Sequence, residues 1–242
     1  KTMKTENYLD STYLKTASEA ELSEEDNQMN VIKIIKEAIK YNFKLVMIRP
    51  RYIDLAKSLI AEADSKVLVG TVIDFPMGNS TTSRKMEESR EVISLGADDL
   101  DYVCDYNIFK QQRFEKFDKD IIEGTRLGKE NNKTVKWIIE TGALSKEEIR
   151  NITKRIANLV SENFPDFQER VFVKTSTGYY GEFGATLSDV KMMKSVSGKL
   201  PIKASGGVSN YMEFTQMLEA GATRIGTSKA LSIYLQKSHN EL

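Results

Sequence analysis

The chain has 242 residues, 40% of them hydrophobic, and its 35 Lys and Arg residues balance 35 Asp and Glu residues. This charge balance argues against a surface built for nucleic acid or for an anionic membrane, because both need an excess of positive charge. Cys104 is the one cysteine and His239 the one histidine, which excludes an internal disulfide and argues against Cys-rich zinc sites, multi-histidine metal sites and His-based catalytic triads.

No apolar run reaches the roughly 20 residues of a membrane span, and residues 1–6 carry no apolar core of a signal peptide. Together with the low cysteine content, these two features predict a protein of the reducing cytoplasm. We therefore expect neither a membrane nor a nucleic acid among its partners.

Short β-branched, apolar runs recur along the chain and predict strands buried on both faces. In chain order they lie at 8–13, 44–48, 67–73, 100–104, 135–139, 171–174, 200–203 and 223–226.

Segments of helical periodicity alternate with these runs, at 30–41, 82–95, 188–195 and 210–220, and a further helix opens at Ser145. Ser145 and Glu148 have the spacing of a capping box, and Gly96 and Gly221 stand where a helix commonly ends on a left-handed residue. The charged segment 19–28 is interpreted as a solvated surface loop.

Repeated strand–helix units predict a parallel sheet, because each return to the sheet needs a crossover. Eight such units predict a single-domain (β/α)8 TIM barrel over residues 1–235, followed by a polar C-terminal tail at 236–242. An open, doubly wound sheet is the alternative.

Two lysines stand at the ends of predicted neighbouring strands, where a barrel places its chemistry. Lys174 ends Val171-Phe-Val, and Lys203 ends Leu200-Pro-Ile. A free lysine is protonated at neutral pH and cannot attack a carbonyl, but a second cation about 4 Å away opposes that proton by roughly 4 kcal/mol at an effective dielectric constant near 20. The pair therefore predicts that one lysine is an amine nucleophile and that the other lowers its pKa. The pattern leaves open which lysine has which role.

Asp101 lies within the apolar run Leu100-Asp-Tyr-Val-Cys104, where an unpaired carboxylate is costly. It is either half of a structural ion pair or a general acid/base that faces the lysines. Asp10 is a second inward candidate, and Cys104, on the opposite strand parity to Asp101, is interpreted as packing.

Small residues follow the last strands in a pattern that predicts a phosphate site. Gly206 and Gly207 come soon after Lys203, Gly226-Thr-Ser228 closes the last strand, and Thr177-Gly178 follows Lys174. Three arginines are alternative phosphate ligands or solvated surface groups: Arg84, Arg90 and Arg224.

In these segments the sequence resembles deoxyribose-phosphate aldolase, a family of class I, lysine-dependent aldolases with a (β/α)8 barrel. The resemblance covers nearly the whole chain and rests above all on Lys-Thr-Ser-Thr-Gly at 174–178 and Lys-Ala-Ser-Gly-Gly at 203–207. At Tyr179 and Ser209 the chain differs from members that carry a basic residue near the phosphate.

The resemblance implies reversible cleavage of 2-deoxy-D-ribose 5-phosphate to acetaldehyde and D-glyceraldehyde 3-phosphate, without metal or organic cofactor, in deoxyribonucleotide catabolism. Its implied partner is a small-molecule sugar phosphate, and it is compatible with a homodimer. Lys174 would form the Schiff base, Lys203 would lower the pKa of Lys174, and Asp101 would move protons. The implied substrate-binding residues are Asp10 and Thr12 at the sugar end, and Thr177, Gly178, Gly206, Gly207, Gly226 and Ser228 at the phosphate and neighbouring hydroxyls.

Two other hypotheses stay open at this point. One is another phosphate-sugar barrel enzyme, an isomerase or a different lysine aldolase. The other is a barrel that binds a sugar phosphate and regulates without catalysis.

Overall fold

The computed structural model describes residues 3–240, with side chains described through residue 237. Eight parallel strands close into one barrel in chain order, so the predicted single-domain TIM barrel is confirmed. The strands are β1 Leu9–Tyr13, β2 Leu45–Ile48, β3 Leu68–Ile73, β4 Asp99–Val103, β5 Thr134–Ile138, β6 Val171–Lys174, β7 Ile202–Ser205 and β8 Ala222–Thr227. Each predicted strand overlaps an observed one.

Helices surround the barrel. They are α1 Ala17–Ala20, α2 Glu24–Tyr41, α3 Ile53–Glu62, α4 Thr82–Ser94, α5 Tyr106–Lys110, α6 Phe114–Glu130, α7 Lys146–Asn163, α8 Leu187–Val196, α9 Tyr211–Ala220 and α10 Ala230–Asn240. Ser145 and Glu148 form the predicted capping box, and Gly221 ends α9 in the left-handed conformation. None of the helices in the described part of the chain has both the length and the apolar character needed to cross a membrane.

The interpretation of 19–28 as a loop is wrong, because α2 begins at Glu24 inside that segment. The Ser23 hydroxyl accepts the Asp26 N–H at 3.0 Å, and three acidic residues occupy the first turn. Acidic side chains stabilise the positive end of the helix dipole, so the charges that suggested a solvated loop are in fact a helix-start signal. Helices α1, α3, α5, α6 and α10 were not predicted from the sequence.

The predicted tail from residue 236 is also revised. Helix α10 continues through Asn240, and the side-chain oxygen of Gln236 accepts the Tyr211 N–H at 2.8 Å, which ties α10 to the start of α9. Residues 241–242 lie outside the described residues.

Apolar side chains fill the layer between the barrel and its helices. Trp137 and Tyr102 stack there with ring centroids 4.5 Å apart. Cys104 is 1% exposed within this layer, which confirms its predicted packing role. The interior of the barrel is different, because charged side chains fill much of it.

Candidate active site

The structure brings Lys174, Lys203 and Asp101 together inside the barrel. Lys174 of β6 and Lys203 of β7 are register partners, and each Nζ lies 3.0 Å from the same oxygen, Oδ2 of Asp101 on β4. All three side chains are at most 4% exposed. The two lysines therefore share one carboxylate in a site almost free of bulk water.

Further charged residues extend this trio into a buried network. Lys136 of β5 lies 2.6 Å from Asp101 Oδ1 and 2.8 Å from Asp99 Oδ2. Arg224 of β8 donates to Asp10 at 2.8 Å and to Asp99 at 2.9 Å. Lys203 joins the two ends, because its Nζ also lies 2.7 Å from Asp10 Oδ2.

Lys136 and Asp99 were not predicted from the sequence as functional residues. Lys136 is a charged residue between apolar neighbours in Val135-Lys-Trp-Ile, the same signal that marked Asp101, and the strand register pairs Lys136 with Asp101.

Arg224 is neither solvated nor a phosphate ligand here, since it is buried and held by carboxylates. By contrast, Arg84 is exposed and pairs with Glu87.

Lys174 carries an amine that loses its proton more easily than an ordinary lysine. Burial is the largest cause, and the neighbouring ammonium of Lys203 adds to it, so that the pKa of Lys174 falls from 10.5 to about 8 despite the opposing effect of Asp101. A usable fraction of Lys174 is therefore neutral at physiological pH.

Asp101 and Lys136 favour their charged forms. Burial alone would raise the pKa of Asp101, but Lys136, Lys203 and Lys174 hold it well below its usual value. Burial opposes the proton on Lys136, yet the nearby aspartates raise its pKa above the usual value. The network contains four basic and three acidic side chains, so its charges balance when Lys174 is neutral.

A cleft of about 690 Å³ opens at the carboxyl ends of the strands and reaches Lys174. Of the residues predicted to bind substrate, seven line it: Thr12, Thr177, Gly178, Gly206, Gly207, Gly226 and Ser228. Asp10 does not line it, because this side chain is fully buried against Lys203 and Arg224.

Backbone amides on one wall of the cleft are available to an anion. Gly178, Gly206 and Gly207 have φ values of +82°, +89° and +80°, a backbone shape that glycine adopts without steric cost. Within residues 3–240, the N–H groups of Gly178, Gly207 and Ser228 donate to no protein acceptor. Unpaired amides at a turn and at the start of a helix, here α10, are typical of phosphate sites.

Gly226 has a second role beside the cleft. A Cβ at this position would lie 3.0 Å from Cε of Lys203, tighter than ordinary van der Waals contact. The missing side chain therefore leaves room for the Lys203 ammonium to reach Asp10 and Asp101.

Glu140 is a buried carboxylate that the sequence analysis did not single out. It follows β5, is 2% exposed, and accepts two hydrogen bonds from Thr177. Burial raises the pKa of Glu140 even though the bonds from Thr177 oppose that shift. Its signal in the sequence is weak, since an acidic residue after a strand is common in loops.

Comparisons with known proteins agree with this geometry. The family model described as "DeoC/LacD family aldolase" matches residues 8–235. Curated relatives include the deoxyribose-phosphate aldolase of Staphylococcus saprophyticus, 43% identical over 93% of each protein, and deoxyribose-phosphate aldolase 1 of Staphylococcus aureus, 42% identical over 96% of each. Among solved structures, the tetrameric deoxyribose phosphate aldolase of Aeropyrum pernix superposes with a TM-score of 0.79 at 25% identity, over 97% of this chain and 91% of that one.

The match of a family model to nearly all of the barrel, and two relatives above 40% identity, point to the same family. This chain therefore belongs to the DeoC/LacD family of aldolases.

Proposed function

We propose that this chain is a class I aldolase that reversibly cleaves 2-deoxy-D-ribose 5-phosphate to acetaldehyde and D-glyceraldehyde 3-phosphate. The observation that carries the proposal is Lys174, a buried amine with a pKa near 8 that lines the cleft beside Lys203 and Asp101. The names of the curated relatives support the choice of substrate.

In this scheme neutral Lys174 attacks the aldehyde carbon of the open-chain sugar, and loss of water gives a protonated imine. The imine draws the electron pair of the C2–C3 bond towards nitrogen, so the bond breaks and leaves an enamine on Lys174. The C3 hydroxyl gives up its proton as it becomes the aldehyde of glyceraldehyde 3-phosphate. Protonation of the enamine carbon and hydrolysis then release acetaldehyde and restore the amine.

Asp101 and Lys203 supply the proton transfers and the charge balance of this scheme. Asp101 is fully buried and already bonded to three lysine amino groups, so it exchanges protons with the substrate through Lys203 or a water in the cleft. The positive imine adds one charge to a network that is balanced while Lys174 is neutral, and Asp101 at 3.0 Å from Nζ stabilises that charge.

The free amides of Gly178, Gly207 and Ser228 bind the phosphate, which fixes the reacting carbon near Lys174. Tyr179 and Ser209 also line the cleft, where some members of the family carry a basic residue. Lys229, at the start of α10, lines the same cleft and offers a positive charge close to these amides.

The test is to incubate the protein with acetaldehyde, reduce it with borohydride, and map the modified residue by mass spectrometry. A reduced two-carbon adduct on Lys174 is expected. A folded, substrate-saturated protein with unmodified Lys174 contradicts the proposal. Lys174→Arg separates it from a carboxylate-based isomerase, because only the isomerase retains turnover in that variant.

We place this reaction in the cytoplasm, in deoxyribonucleotide catabolism, because its substrate is the sugar phosphate of deoxyribonucleotides. A homodimer is the assembly proposed from the family resemblance, and light scattering of the purified protein distinguishes it from a tetramer like that of the Aeropyrum pernix enzyme.

A further inference from the structure

Glu140 adopts a backbone conformation that is rare for its residue type. Seven residues other than glycine have positive φ within residues 3–240, and of these only Glu140, at φ +60°, is buried. A left-handed conformation is sterically unfavourable for a residue other than glycine, so surrounding contacts must hold it in place. The Thr141 N–H, which donates to the Thr175 carbonyl at 2.9 Å, is one such contact.

Both oxygens of the Glu140 carboxylate accept hydrogen bonds from the same residue, Thr177. Its Oε1 accepts the Thr177 N–H at 3.1 Å, and its Oε2 accepts the Thr177 hydroxyl at 2.5 Å. An ionised carboxylate has only acceptors, so it satisfies both donors of Thr177 at once, and hydrogen bonds to a charged group are among the stronger ones.

The hydrogen bonds to Glu140 also orient the residues that follow Thr177. Because its hydroxyl hydrogen points to Glu140, its oxygen is free to accept the Tyr179 N–H, at 3.0 Å. The two bonds fold residues 177–179 into a turn around Gly178, which lines the cleft and whose N–H has no partner among residues 3–240.

We propose that Glu140 is a positioning residue for substrate binding, which acts through Thr177 to hold the Gly178 amide towards the anionic end of the substrate. Glu140 does not itself line the cleft, so its contact with the substrate side of the cleft runs through this turn. The inference rests on the proposed function for the identity of the substrate, but the turn and its amide are features of the cleft alone.

The central variant is Glu140→Gln, which keeps the shape but replaces one acceptor oxygen by a donor, so one donor of Thr177 loses its partner. Loss of this hydrogen bond lowers the population of the turn that presents the Gly178 amide, and a competent population of about one tenth raises KM for the sugar phosphate about tenfold. Acetaldehyde has no phosphate, so the rate of borohydride trapping at Lys174 stays within about twofold of the parent protein. Glu147→Gln, which removes an exposed carboxylate at the start of α7, is the matched control and leaves both values unchanged.

Thr177→Val and Thr177→Ser test whether Glu140 acts through the Thr177 hydroxyl. Val removes the hydroxyl and reproduces the rise in KM, whereas Ser, which keeps the hydroxyl, gives a clearly smaller rise than Val. In the double variant Glu140→Gln/Thr177→Val, KM rises no further than in the more affected single variant, because both changes break the same connection. These two threonine variants keep the test decisive if Glu140→Gln fails to fold.

A purely structural role for Glu140 gives a different pattern, in which the melting temperature, kcat and trapping rate fall together while KM is unchanged. That pattern, or additive effects of the two substitutions, overturns the inference. Failure of the proposed function is recognised separately, by the absence of any trapped adduct on Lys174 in the parent protein. In that case calorimetric titration with inorganic phosphate compares the parent and Glu140→Gln, and equal affinities overturn the inference.

Discussion

The interior of the barrel divides into two unlike halves. On the side of β2 and β3, Leu45, Met47 and Val72 pack together as an apolar cluster, as in most barrels of this fold. On the side of β1 and β4–β8, three lysines, one arginine and three aspartates occupy the same space. Because the two halves share one backbone architecture, the difference shows what the chemistry adds to the fold.

The apolar half stabilises the barrel by burying surface, whereas the ionic half must offset the desolvation of every charge it contains. Its carboxylates are each held by at least two cations, which compensates that cost. Lys174 is the member whose protonated form the network accommodates poorly, and this is the property that imine formation needs. Four substitutions or conditions test this contrast.

Lys174→Met is expected to have the largest effect. Without the amine, turnover falls by at least about 10⁴-fold, because no other group forms the imine. At pH 7 the free energy of unfolding rises by roughly 1–3 kcal/mol, since a buried charge whose pKa is depressed is removed. Urea denaturation measures the gain, and a loss of stability contradicts this view of the network.

Lys136→Met is expected to destabilise the protein by about 3–5 kcal/mol, because it removes one cation from each of two buried carboxylates and leaves their charges less compensated. Asp99 and Asp101 lose contacts of 2.8 and 2.6 Å, respectively. Chemical denaturation of the two methionine variants side by side is the measurement. If both lysine substitutions shift stability in the same direction, the distinction drawn between Lys174 and its neighbours is wrong.

Met47→Ala probes the apolar half. Met47 is fully buried, and its Cε lies over Gly70, so truncation leaves a cavity and lowers the free energy of unfolding by roughly 2–4 kcal/mol. The trapping rate per folded molecule at Lys174 is expected to stay unchanged, because Met47 packs in the apolar cluster with Leu45 and Val72. A parallel fall in trapping rate shows that the halves are coupled.

The smallest expected effect is that of pH. With the pKa of Lys174 near 8, the neutral amine increases as pH rises, so trapping by acetaldehyde grows about fivefold from pH 7 to pH 8 and levels off above pH 9. Unfolded Lys174 keeps its proton until about pH 10.5, so the parent protein gains stability relative to Lys174→Met as pH rises from 8 to 10.5. A trapping rate that does not depend on pH in this window contradicts the assignment.

Sequence reasoning located the strands well because a buried parallel strand is a local run of apolar residues, visible in consecutive positions. It was less reliable for helices with charged surfaces, such as α6, and for the start of α2, whose acidic first turn was interpreted as a loop. In such helices the apolar residues are few, so tertiary packing decides what the local pattern leaves ambiguous.

The amino-acid sequence by itself determined the parallel strand–helix repeat, the neighbouring strand-end positions of Lys174 and Lys203, and the place of Asp101 within an apolar strand, because these follow from periodicity and connectivity. Closure of the barrel decided the rest: it set β8 beside β1, which joined Arg224 to Asp10, and carried Lys136 into the same network. It also set the left-handed conformation of Glu140 and its bonds to Thr177. These residues lie far apart in sequence, and only the folded geometry determines which charges share a low-dielectric interior and therefore which lysine gives up its proton.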